Sequence, residues 1–142
     1  MVRGQVGVVM ERDRAGALAA IPVGEAEGLA VLACVRSLGA AQPEFVEECT
    51  GLFLLETAAD LATIEAALAR GDVAAAARDA HRLKGNCAVV GATRMQALCR
   101  EIEGHAREGA IERAKAEINV LADLFGGVRL ALAECRQSLA SN

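Results

Sequence analysis

Apolar residues recur at steps of three and four along most of this chain, the spacing that places them on one face of an α-helix. The longest run is Ile111, Ala114, Ile118, Leu121, Phe125, Val128, Leu132, Cys135 and Leu139, in which the two steps alternate throughout. It predicts one helix of ~29 residues, roughly 43 Å at 1.5 Å per residue. Gly126 and Gly127 fall between stripe positions and are expected to bend or loosen that helix without removing a core residue. Val73, Ala76, Ala80, Leu83, Cys87 and Val90 repeat the pattern. They predict a helix over 73–90, with Asp72 as N-cap and Gly91 at its end. Upstream, Pro43 opens a long stretch that Gly71 closes, with Phe45, Cys49, Leu52, Leu61, Ile64 and Leu68 as the expected inward face. Downstream, Met95, Leu98 and Ile102 face inward on a segment from Ala92 to about Arg107, ended by Gly109.

A shorter helix is expected from Glu25 to about Leu38. Residues 1–24 hold several Gly and one Pro, with no strand-like alternation of useful length. They are expected to form a flexible or loosely docked N-terminal segment. Four amphipathic stretches joined by very short turns must be antiparallel neighbours. The expected fold is therefore all-α: an antiparallel up-down four-helix bundle with a short extra N-terminal helix, in one domain over 25–142.

Composition agrees. The chain has 142 residues, enough for one domain, and is 54% hydrophobic, enough for a core. Three Phe are its only aromatic residues, which leaves no stacking platform for RNA bases. The net charge of −4 lacks the basic footprint that nucleic acid needs. No apolar run approaches the roughly 20 residues that span a bilayer, and charges and Gly interrupt the N-terminal apolar stretches. No signal peptide and no membrane association are expected, and the reading is cytoplasmic. Cys34, Cys49, Cys87, Cys99 and Cys135 include no CxxC pair. They are expected to be buried, reduced thiols rather than metal ligands or a redox centre.

On a helical wheel of the 73–90 segment, His81 points about 130° away from the centre of the apolar arc. Lys84 and Gly85 follow it at i+3 and i+4, and both are surface neighbours of His81. A neutral imidazole nitrogen is a nucleophile, a nearby ammonium suits a phosphoryl group, and a missing side chain admits a partner. From Arg78 to Arg100, five basic residues stand against one acidic residue. That local surplus, in an acidic chain, suits an acidic partner or a phosphoryl ligand.

The stretch from Ala80-His81-Arg82-Leu83-Lys84-Gly85 to Gly91 resembles the AHxLKG signature, with a Gly six residues on, of the histidine phosphotransfer (HPt) domains of two-component phosphorelays. Leu98-Cys99-Arg100-Glu101-Ile102-Glu103 is similar to that family's L-C-x-x-L-E motif. Pro43-Glu44-Phe45 and Ala69-Arg70-Gly71-Asp72 also fit it, and the resemblance covers about residues 25–140. Cys87 departs from it, since the family often has a small Ala or Gly there, and residues 1–24 have no counterpart.

The resemblance implies that His81 is phosphorylated on Nε2, that Lys84 steadies the phosphoryl group and that Glu103 lies near Nδ1. It also implies that Arg78, Arg82, Gly85 and Ala88 form the docking face. The implied partners are response-regulator receiver domains and hybrid sensor kinases. No metal or cofactor is expected on this chain, since Mg²⁺ would belong to the receiver. No phosphate-binding Gly-rich loop is present, so the chain reads as a phosphocarrier without ATP-dependent kinase activity, and as a monomer. The alternative is a non-phosphorylated helical-bundle adaptor that binds and regulates a response regulator or kinase. The first domain of a chemotaxis-type kinase and a metal or redox bundle are weaker readings.

Overall fold

The computed structural model describes residues 8–12, 18–38 and 42–141, with side chains from 21 to 134. Five helices follow a β-hairpin: α1 (Val23–Leu38), α2 (Pro43–Ala69), α3 (Val73–Val89), α4 (Thr93–Arg107) and α5 (Ile111–Ser141). Helices α2 to α5 each pack on the next, and α5 closes the ring against α2. This is the expected up-down bundle, and α1 lies along α5 as the extra N-terminal helix.

The three tight turns share one design. Gly71, Gly91 and Gly109 each adopt φ of 76–77°, a left-handed conformation that only Gly enters without strain. The residue after each Gly sends its N–H five residues back, as in Asp72 N–H to Ala67 O at 2.9 Å. That closes the last turn of the preceding helix. Asp72 also caps α3 as expected, accepting from Ala75 N–H at 3.1 Å.

Three local expectations are corrected. The N-terminal segment contains structure: β1 (Val8–Arg12) pairs antiparallel with β2 (Leu18–Pro22), Val8 opposite Pro22. Each strand has only five residues, too few for period-two alternation to stand out. Helix α1 then starts at Val23, two residues before the expected Glu25.

On α2 the buried face of the first half is not Phe45, Cys49 and Leu52 but Val46, Thr50, Phe53 and Thr57. Phe45 and Leu52 are exposed. Thr50 can be buried because its hydroxyl donates to Val46 O at 2.8 Å, so no polar group is stranded. Phe53 then meets Phe125 of α5 edge-on at 6.5 Å.

The third correction concerns the thiols. Cys87 and Cys99 are buried, but Cys34 and Cys49 are only half-buried, and the Cys135 side chain lies outside the described residues. The Cys87 thiol is pushed up in pKa by its hydrogen bond to Cys99 and by burial, which removes its nucleophilic form.

Helix α5 runs unbroken through Gly126 and Gly127. Gly127 is a contact residue. A Cβ there would stand 2.7 Å from Gly24 Cα, and one on Gly24 would stand 2.5 Å from Gly127 Cα. One turn on, a Cβ on Gly28 would reach 2.7 Å from the Ala131 methyl. Small residues four apart thus let the α1 and α5 backbones touch.

From this seat α1 reaches the α3–α4 turn. Position Ala92 gives α4 no side-chain cap. Glu27, only 3% exposed, supplies one from α1 by accepting Met95 N–H at 2.8 Å. Glu27→Ala is expected to cost about 2 kcal/mol, since it strands a buried helix-terminal N–H. Urea denaturation would measure the loss, with faster amide exchange at Met95 as its local sign.

Candidate functional site

Helix α3 buries Ala76, Ala80, Leu83 and Cys87, and this burial fixes its rotation. His81, Gly85 and Ala88 are thereby turned outward, and Lys84 is left at the edge of the core. Helix α4 buries Met95, Cys99 and Ile102, and Glu103 follows on the side facing α3.

The two helices bring the three expected residues together. His81 Nδ1 lies 3.0 Å from Glu103 Oε2, and Lys84 Nζ donates to Glu103 Oε1 at 2.8 Å. The side chain of Glu103 is 5% exposed and that of His81 is 62% exposed. An ionised carboxylate only accepts hydrogen bonds, so Nδ1 of the neutral ring must carry the proton. The Nε2 lone pair is then free, on an exposed ring held from behind.

Burial alone would raise the Glu103 pKa. The hydrogen bonds from Lys84 and His81, with the charges of Lys84 and Arg107, outweigh it and hold the pKa below 4.5, the ordinary value. Because the shift is downward, the contribution of this carboxylate is complete above the ordinary glutamate range. It is lost only as pH falls through the lowered value.

Of the four expected docking residues, Gly85 and Ala88 are exposed. A Cβ on Gly85 would meet nothing within 4 Å. Its lack of a side chain therefore serves nothing inside the fold. Arg78 is 72% exposed and lies 3.7 Å from Asp79. Arg82 is more committed. It donates to Asp60 of α2 at 2.7 Å and lies 3.6 Å from Asp79. The Asp60 hydrogen bond is the main cause of its raised pKa. The buried Asp60 was not found in the sequence, because a partner 22 residues away carries no local spacing signal.

Sequence reasoning also passed over Arg107. Its Nη2 lies 2.7 Å from Glu103 Oε2, the oxygen that faces His81. The i,i+4 spacing on α4 was a signal that could have found it. Arg107, Arg78, Ala77, Ala74 and His81 line a shallow groove of about 480 Å³.

His105, the second histidine, lies elsewhere, with Nδ1 2.6 Å from Glu117 of α5 and a side chain 22% exposed. Among the described residues, no group of three or more His, Cys, Asp or Glu could hold a metal ion. None of the described helices is long and apolar enough to cross a membrane.

The arrangement is an exposed imidazole whose Nδ1 meets a buried carboxylate that also holds two cations. Comparison with known proteins agrees. The Hpt domain family model matches residues 48–138, more than half of the chain. The chain is 32% identical, with a TM-score of 0.69, to the crystal structure of histidine-containing phosphotransfer protein B (HptB) from Pseudomonas aeruginosa PAO1. That match covers 76% of this chain and 91% of that one. No curated protein matches the sequence. The chain belongs to the Hpt domain family and is a histidine phosphotransfer protein of a two-component phosphorelay.

Proposed function

We propose that His81 is the phosphoryl carrier and that Nε2 is the atom that bonds phosphorus. The observation that carries this reading is the 3.0 Å contact between His81 Nδ1 and a buried Glu103. In the transfer, the Nε2 lone pair attacks the phosphorus of a receiver's aspartyl phosphate. The P–O bond breaks and the aspartate carboxylate leaves with its electrons. Nδ1 keeps its proton, so the phosphorylated ring has imidazolium character, and the Glu103 carboxylate stabilises it. In the return direction that same charge makes the ring a better leaving group.

Lys84 is 22% exposed and bonded to Glu103, close enough in sequence to His81 to meet the phosphoryl oxygens. The receivers, on response regulators and hybrid sensor kinases, dock over Arg78, Arg82, Gly85 and Ala88. They bring the Mg²⁺ that transfer needs, and this chain holds no cofactor of its own. It acts as a cytoplasmic monomer and does not phosphorylate itself from ATP.

The test uses receiver domains from the protein's own cell, charged with labelled acetyl phosphate and Mg²⁺. Label should pass to this protein as an acid-labile phosphoprotein and then onto a second receiver, with none taken from ATP alone. A receiver that binds the chain but transfers nothing would support the adaptor reading instead.

Gly85→Ala gives a second check. Alanine is the better helix former and its methyl meets nothing, so stability should rise by about 0.5–1 kcal/mol in denaturation. Transfer from a receiver should nevertheless slow, because the methyl intrudes on the docking face. A gain in both would remove Gly85 from that face.

A further inference from the structure

Along the sequence, the stretch from Arg78 to Arg100 carries a surplus of positive charge. The fold cancels it on one side of His81. Asp60 of α2 accepts from Arg82 Nη2 at 2.7 Å. Asp79 lies 3.6 Å from Arg82 Nη1 and 3.7 Å from Arg78 Nε. Glu56, exposed one turn before Asp60, acts on the same guanidinium. Arg78 and Arg82 thus face three carboxylates, and no positive charge is left over there. On the α4 side the balance is different, because Lys84 and Arg107 share the single carboxylate of Glu103.

Asp60 needs a reason to be where it is. It lies on the buried face of α2, three residues after Thr57 and four before Ile64. Its side chain is only 11% exposed. Burying a carboxylate costs free energy that pairing at best offsets, and an apolar side chain suits such a position as well. What the pairing changes is Arg82, whose side chain is 54% exposed on the docking face. Carboxylates hold two of its nitrogens. A guanidinium has five N–H donors, so others are left for a partner. Because they are already held in place, little side-chain freedom is lost when that partner arrives.

We propose that Asp60 is a positioning residue that sets receiver specificity: by fixing and neutralising Arg82, it makes the α2 side of the docking face a set of hydrogen-bond donors without net positive charge. Such a face selects receivers that offer backbone carbonyl, side-chain amide or hydroxyl oxygens over receivers that offer carboxylates. A carboxylate brought to Arg82 would also approach Asp60, Asp79 and Glu56, and like charges brought together cost affinity. A neutral oxygen takes the same hydrogen bond without that repulsion. The inference rests on His81 being the carrier and Arg82 lying on the docking face.

The test measures transfer to the full chain from each receiver domain of the protein's own cell, charged with acetyl phosphate and Mg²⁺. It compares wild type, Asp60→Asn, and a double variant, Asp60→Leu with Arg82→Met, which replaces the whole pair by apolar side chains. Asp60→Asn should raise the KM for the best wild-type receiver about ten-fold and leave the saturating rate within about two-fold. Receivers with acidic docking faces should gain, and their kcat/KM should fall more steeply as salt is raised, because Arg82 is no longer neutralised. The double variant should melt no lower than wild type. It should lose the best receiver as Asp60→Asn does, without the gain for acidic ones.

An unchanged KM and an unchanged ranking of receivers in Asp60→Asn overturn the proposal. So does a fall in the saturating rate, which would place Asp60 in the chemistry at His81. A double variant that folds and keeps the wild-type ranking also overturns it, even where Asp60→Asn does not fold. Failure of the carrier reading looks different: His81→Gln protein would then accept phosphoryl groups as well as wild type, whatever the Asp60 variants do.

Discussion

His81→Gln protein is expected to take up no phosphoryl group from a charged receiver, with a loss of at least about a thousand-fold. The amide of glutamine has no nucleophilic nitrogen lone pair, so the bond to phosphorus cannot form. The same substitution should barely disturb the fold. The His81 side chain is 62% exposed, and a glutamine amide can still donate to Glu103, so the cost should stay below about 1 kcal/mol. Circular dichroism and a melting curve close to wild type would show that the protein is intact. His105 is not expected to substitute. It is 22% exposed and held by Glu117 at 2.6 Å, on a different face from the Lys84 and Arg107 cations. Equal transfer to His81→Gln protein would end the carrier assignment.

The second large effect is structural, and two adjacent residues provide its control. Gly127→Ala puts a methyl 2.7 Å from Gly24 Cα, while Gly126→Ala puts one where nothing lies within 4 Å. The Gly127 clash is with backbone, so no side-chain rotation relieves it. Helix α1 must shift away from α5. That is expected to cost about 2–3 kcal/mol, or roughly 8 °C in Tm for a chain of this size. Gly126→Ala should be neutral or stabilising by up to about 1 kcal/mol through helix propensity. The shift should also pull Glu27 away from Met95 N–H, so exchange at the start of α4 should quicken in Gly127→Ala protein alone. Equal melting temperatures for the two variants would contradict the close helix approach.

Periodicity and punctuation made much of this molecule legible in advance. Gly71, Gly91 and Gly109 mark three turns that use a left-handed residue at the same place, and Asp72 caps the helix it precedes. The stripe on α3 sets its rotation, which is enough to turn His81 outward. Two kinds of feature were hidden. On α2, Thr50 belongs inside because its hydroxyl finds Val46 O, a local bond that hydropathy does not register. Glu27, Asp60 and Gly127 act on residues far away in sequence, and spacing along one helix is silent about the next. The pairing of Glu103 with His81 crosses helices too. It came from a family resemblance, not from the residues alone. Arg107 could have been read from its place one turn after Glu103, yet only the shared oxygen gives that spacing a meaning.

The most direct measurement of the central claim is the phosphorus–nitrogen bond itself. Protein labelled with ¹⁵N-histidine would be phosphorylated by a charged receiver, and its ³¹P–¹⁵N coupling recorded. The expected result is one phosphorus coupled to Nε2 of His81, with Nδ1 still protonated against Glu103. Phosphorus on Nδ1, on His105 or on a carboxylate would contradict it.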